Sequence, residues 1–133
     1  MLMAVGAVSA AHNIFDYGHV TQGRSNGTVE QEFENTNAML KALLAANNSA
    51  DRVVEIPKGS VITMMAWNIS SLYDITIKLD GDVYATKYWK QWPRTPSGDR
   101  MHFWQFYYCD GIKIEGSGMM DGQGYMWWWR EIL

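Results

Sequence analysis

Two stretches 37 residues apart carry the same short pattern, and this repeat restricts the available folds more than any other feature of the chain. In Asp74-Ile-Thr-Ile-Lys-Leu-Asp-Gly81, the residues Ile75, Ile77 and Leu79 alternate with polar neighbours before a glycine. That is the period-2 signature of a strand with one buried face. Shifted by 37 residues, Ile75, Ile77 and Gly81 superpose on Ile112, Ile114 and Gly118, and Asp82-Val-Tyr84 falls on Met119-Met-Asp121. An earlier strand, Arg52 to Lys58, places Val54 and Ile56 on one face and turns at Pro57-Lys58-Gly59, and a second short strand runs from Ser60 to Trp67. The step from Val54 to Ile75 is 21 residues. Coils of a parallel β-helix span about twenty residues, so the 37-residue interval reads as two coils or as one coil carrying a long loop.

Ahead of these strands the period changes. Leu40, Leu43, Leu44 and Asn47 follow helical spacing, and Ala38, Ala42, Ala45 and Ala46 favour helix, which predicts one helix from Asn35 to Asn48. Asn35 or Thr36 is expected to cap it, with Glu30, Glu32 and Glu34 near the positive end of its dipole. Together these elements predict an all-β fold, a parallel β-helix (a solenoid) shielded by an N-terminal capping α-helix.

With 133 residues, 47% hydrophobic and 19% charged, the chain is one domain or part of one. A net charge of −3 argues against nucleic acid or a general membrane surface as partner, and no run of about 18 apolar residues is present. The single Cys109 reads as a small buried filler, and His12, His19 and His102 stand too far apart for a zinc site. No metal or cofactor is implied.

Met1 to Ala11 is apolar and ends in small residues, as a signal-peptide remnant does; an N-terminal strand, or a start inside a longer signal, fits equally. Sequons at Asn26, Asn47 and Asn68 point the same way, toward an extracellular, secreted protein. The domain proper is expected over residues 12–133.

Thr86 to Gly98 interleaves bases with aromatics. From Thr86 to Trp104, Lys87, Lys90, Arg94 and Arg100 against Asp99 give +3, which leaves −6 on the remainder. The aromatic run Met101 to Tyr108 then reads as a strand.

Taken in order, several of these segments resemble the N-terminal portion of a polygalacturonase of glycoside hydrolase family 28. Asn13-Ile-Phe-Asp-Tyr-Gly18 resembles its opening strand, Glu34-Asn-Thr36 the start of its capping helix, and Val54-Glu-Ile-Pro-Lys-Gly59 its first rung. Asp74 to Gly81, Trp89 to Trp92, Phe103-Trp104 and Asp110 to Gly116 follow in the family's order, and Asp121-Gly-Gln-Gly124 with Trp127-Trp128 is the most specific piece. The resemblance implies a right-handed, pectin lyase-like parallel β-helix, incomplete at the C-terminus in this chain, and an inverting hydrolase of pectin-type polysaccharide. The family's catalytic motifs, Asn-Thr-Asp, Asp-Asp, Gly-His-Gly and Arg-Ile-Lys, lie in later rungs and are missing here. Asn35-Thr-Asn37 lacks the aspartate and reads as a helix cap. The chain is therefore expected to be a front portion, inactive alone and prone to self-association through its uncovered last rung. The competing expectation is a non-catalytic, adhesin-like binding module.

The carboxylates support no catalytic assignment. An inverting glycosidase needs an acid and a base about 6.5–9.5 Å apart, whereas Asp80, Asp82, Asp110 and Asp121 each adjoin a glycine and read as turn residues. Calcium wants six or more oxygens, which Asp80 and Asp82 do not supply. Gly116-Ser-Gly-Met-Met-Asp121 departs from a dinucleotide-binding fingerprint at its sixth position. Trp127 to Trp129 read as packing residues. The substrate-binding candidates are Lys87, Lys90 and Arg94 with Trp89 and Trp92, as the border of a groove for an anionic polysaccharide such as polygalacturonate. An exposed loop pinned by its tryptophans is the competing reading.

Overall fold

In the computed structural model, which describes residues 11–124, a helix α1 spans Val29–Asn47 and begins ahead of the leucine and alanine pattern that predicts it. Its start is set by a Thr-x-x-Gln capping box. The Thr28 hydroxyl accepts from the Gln31 backbone N–H at 3.1 Å, and the Gln31 side chain accepts from the Thr28 N–H at 2.9 Å. Asn35 and Thr36 are therefore mid-helix residues, not caps. The helix buries Ala38, Met39, Ala42, Leu43 and Ala46 at the spacing of three and four that places residues on one face.

Nine short strands accompany it among the described residues: β1 His12–Asn13, β2 Val53–Ile56, β3 Val61–Met64, β4 Trp67–Ser70, β5 Thr76–Leu79, β6 Asp82–Ala85, β7 Trp104–Tyr107, β8 Lys113–Glu115 and β9 Met119–Asp121. All the paired strands are parallel and form three sheets, ordered β1-β2-β5-β8, β9-β6-β3 and β4-β7. β1 and β2 share a sheet and are joined by the long crossover that carries α1; from β2 onward consecutive strands go to different sheets.

This corrects the expected fold class. The chain is not all-β, because α1 supplies a large share of the one hydrophobic cluster, and the strands lie in three separate sheets of four, three and two strands. Among the described residues, no sheet closes or continues as a solenoid sheet. The architecture is a small α/β domain. Period-2 patterning reports which face of a strand is buried and which strands can pair; it says nothing about how separate sheets join.

The pairing itself follows the repeat. Ile77 pairs with Ile114 and Asp82 with Met119, each across 37 residues. Trp67 pairs with Trp104 across the same interval, so 37 residues join directly adjacent strands and the excess is the loop after β6. The shorter step differs from the sequence alignment, since Val54 pairs with Ile77 rather than Ile75. Asp74 sits in a left-handed corner at φ 55°, so the strand begins only at Thr76.

Buried Val54, Ile56, Ile62, Met64, Ile75, Ile77, Leu79 and Val83 fill the space between the sheets and the helix. Each such side chain contributes about 1.5–3 kcal/mol relative to exposure. On the third sheet Trp67 lies 5.0 Å from Trp104 and edge-on to Phe106 at 5.6 Å, centroid to centroid. Layers approach so closely at Gly118 that a Cβ there would run into the Gly81 carbonyl.

The open edge of β3 is closed by buried polar groups. Asn35 Nδ2 donates to the carbonyls of Thr63 (2.8 Å) and Thr21 (3.0 Å), while its Oδ1 accepts from Thr21 N (2.8 Å). The Thr36 hydroxyl accepts from Met65 N at 2.9 Å. Unpaired strand edges invite association, and here helix and loop side chains take their place. The signal-like segment falls largely on residues 1–10, and Trp127 to Trp129 also fall outside the described residues.

Candidate functional site

The basic aromatic loop leaves β6 at Thr86, which is fully buried and donates its N–H to Met64 O at 3.0 Å. Two bonds then fix its root: Tyr88 N donates to Thr86 Oγ1 (2.9 Å), and the Tyr88 hydroxyl donates to Gly27 O (2.6 Å), just ahead of α1. A single 3-10 turn, Trp89–Gln91, follows. Beyond it the chain doubles back, with Arg94 and Arg100 in antiparallel register and Thr95 N bonded to Asp99 O at 2.7 Å. Trp92 pins this hairpin, donating Nε1–H to Met101 O at 2.8 Å with its ring 6.1 Å from that of Phe103.

The five expected binding residues therefore divide. Lys87, Trp89 and Lys90 cluster on the turn, with Lys90 Nζ 5.3 Å from the Trp89 ring and Lys87 Nζ 5.7 Å from the Tyr88 ring. Such contacts hold a cation beside an aromatic face without neutralising it. Trp92 and Arg94 serve the loop itself, because Arg94 Nη1 donates to Gly98 O at 2.8 Å. Lys87, Lys90 and Arg94 are exposed, and Trp89 is half-buried.

Asp121-Gly-Gln-Gly124 meets this loop from the other side. The Gln123 side chain, 1% exposed, donates to Ser25 Oγ at 2.8 Å and to the Ala85 carbonyl, one residue before the loop root. Asp121 Oδ1 accepts from Gln123 N at 2.7 Å, and its other oxygen lies 3.8 Å from Arg24, whose guanidinium covers the Tyr84 ring at 4.6 Å. The motif is a staple between the segment before α1 and the end of β6.

Asp80 also has a structural partner: its Oδ1 accepts from Ser117 N at 3.0 Å, across the 37-residue step rather than within its own turn. His12 sits 3.0 Å from Ser49 Oγ, as a nucleophile's base would, but the geometry assigns another role. Nε2 is also 3.0 Å from Asp51 O, which can only accept, so the ring proton belongs there and Nδ1 accepts from Tyr17 OH at 2.6 Å. The Ser49 hydroxyl also donates to Asp51 O, at 2.8 Å. Among the described residues, no three or more His, Cys, Asp or Glu side chains gather as metal ligands, and no helix is long and apolar enough to cross a membrane.

Sequence reasoning missed Glu32. Its side chain is 1% exposed in the first turns of α1, and neither carboxyl oxygen has a hydrogen-bond partner in the described structure. Burial pushes its pKa above the ordinary 4.5, opposed more weakly by the Thr86 hydroxyl and the Lys87 charge. The Thr28-x-x-Gln31 capping signal was the clue that would have put Glu32 inside the helix.

No family model, curated protein or solved structure matches this chain.

Proposed function

We propose that the chain is a polysaccharide-binding portion of a pectin-directed, polygalacturonase-like inverting glycoside hydrolase, contributing substrate contacts while the acid and base lie elsewhere. The observation that carries this reading is the Lys87-Trp89-Lys90 cluster on a turn fixed at its root and along its hairpin. Cations that are held in place lose little freedom on meeting sugar carboxylates, and an adjacent indole can stack on a sugar ring.

A non-catalytic binding module is the second reading. It is favoured by the carboxylates, since Asp80 holds Ser117 of the next layer, Asp121 bonds within its own turn, and Glu32, the one acid with a displaced pKa among the described residues, is enclosed. Both readings require binding. Affinity electrophoresis in polygalacturonate gels should retard the chain, and Lys87→Ala with Lys90→Ala should abolish the retardation; unchanged mobility of the variant overturns the assignment. A reducing-sugar assay on polygalacturonate should read zero for the chain as given, and turnover would place catalytic groups within it.

A further inference from the structure

Glu32 lies where the basic aromatic loop meets the first turns of α1. It faces a cavity of about 10 Å³, lined by the uncharged side chains of Thr21, Gln22, Asn26, Gln31 and Asn35. That volume admits one water molecule at most. β3 faces the same cavity with Thr63, whose hydroxyl donates to Gly23 O at 2.7 Å and accepts from Ser25 N at 2.9 Å. From the loop root come the Thr86 hydroxyl, which favours the ionised carboxylate less than burial opposes it, and Lys87, the one charged side chain among the described residues that acts on Glu32. Lys87 is exposed, so solvent weakens its pull.

An ionised carboxylate without hydrogen bonds is costly in such a place, and the group is relieved either by taking a proton or by reaching water. Reaching water requires something beside it to move. On the loop side the closure consists of the Thr86 N–H on Met64 O and the Tyr88 hydroxyl on Gly27 O, with the Gln123 staple on Ala85 O next to it.

We propose that Glu32 is a proton-operated latch for the loop that carries Lys87, Trp89 and Lys90. Protonated, it lets the Thr86–Tyr88 root close on the segment ahead of α1. Ionised, it opens that root toward Lys87 and solvent, so the loop is held in acid and released as pH rises. The latch moves the loop on which the polysaccharide reading rests, but its test reads loop docking with no polysaccharide present, so the two fail separately.

Backbone amide exchange of the full chain, corrected for intrinsic pH dependence, tests it at Thr86, whose N–H bonds Met64 O across the root. In the wild type, protection should fall about tenfold per pH unit above 4.5, until Glu32 ionises in the closed state. In Glu32→Gln, protection should stay at its acid level throughout. A flat wild-type profile, or an equal fall in the variant, overturns the proposal. If Glu32→Gln does not fold, the Glu32 carboxyl carbon of the wild type can be titrated by NMR. A midpoint above 4.5 that coincides with the loss of protection supports the latch, and one at or below 4.5 overturns it.

Discussion

Asp74 and Gly111 occupy the same corner of successive layers, both left-handed at φ 55° and 73°, and Asp74 N donates to Asp110 O at 2.9 Å between them. A Cβ on residue 111 would lie 2.5 Å from Asp74 Oδ1. Gly111→Ala should therefore cost about 1–2 kcal/mol from backbone conformation alone, with the contact adding to it. Asp74→Gly relaxes the same conformation and should stay within about 1 kcal/mol of the wild type. Urea unfolding midpoints measure both, and a Gly111→Ala chain as stable as the wild type would show that the corner is not under this constraint.

Asn35 makes the tightest test of how α1 is attached. It is buried and satisfies Thr21 N, Thr21 O and Thr63 O at once. Asn35→Ala deprives the buried Thr63 carbonyl and the half-buried N–H and carbonyl of Thr21 of this partner, for an expected loss of about 2 kcal/mol or more. Thr28→Ala removes one exposed cap and should cost about 1 kcal/mol. The ordering of the two losses in denaturant titrations is the outcome that matters, and the reverse order would mean that α1 is held by apolar contacts alone.

Asn35 also shows where sequence reading stops. Its residue type favours a cap, and the local pattern cannot reveal that a strand 28 residues away offers a carbonyl at 2.8 Å. Strand register was legible because Ile77 and Ile114 mark their own faces, and the 37-residue shift transfers directly to pairing. The sheet arrangement was not legible, since alternation carries no information about the corners at Ser71 and Tyr108, which are left-handed without being glycine. In the loop, composition identified the cations and rings. It could not divide Lys90, beside Trp89, from Arg94, whose guanidinium is bonded to Gly98 O.

That division gives separate predictions for the loop. Trp92→Phe keeps an aromatic ring near Phe103 but deletes the bond to Met101 O, so it should cost about 1 kcal/mol and speed amide exchange at Met101, whose N–H bonds Pro93 O. Trp89→Ala should leave that exchange unchanged and weaken retardation by polygalacturonate. Equal effects of the two substitutions on exchange would erase the distinction between pin and contact residue.

Salt should act on the binding step. The cations of the loop are exposed, and the Debye length falls from about 30 Å at 0.01 M to about 8 Å at 0.15 M ionic strength. Retardation by polygalacturonate should weaken steeply across that range. Binding of the wild type that does not change with salt would assign recognition to the rings rather than to the charges.

Glu32 adds a contribution of definite sign to the pH dependence of stability. Its folded pKa is raised above 4.5 by burial, so the folded chain holds a proton that the unfolded chain gives up. The stability this contributes is fully present below pH 4.5 and is lost as pH rises through the folded value, the opposite of an acid held in an ion pair. Each unit of elevation corresponds to about 1.4 kcal/mol. Glu32→Gln should remove this slope, so the difference in unfolding free energy between variant and wild type should shift in favour of glutamine between acid and neutral pH. Denaturant titrations at both ends of that range measure the shift. A wild type that instead gains stability relative to glutamine as pH rises would mean that Glu32 is ionised and paired in the folded chain, so that Lys87 prevails over burial.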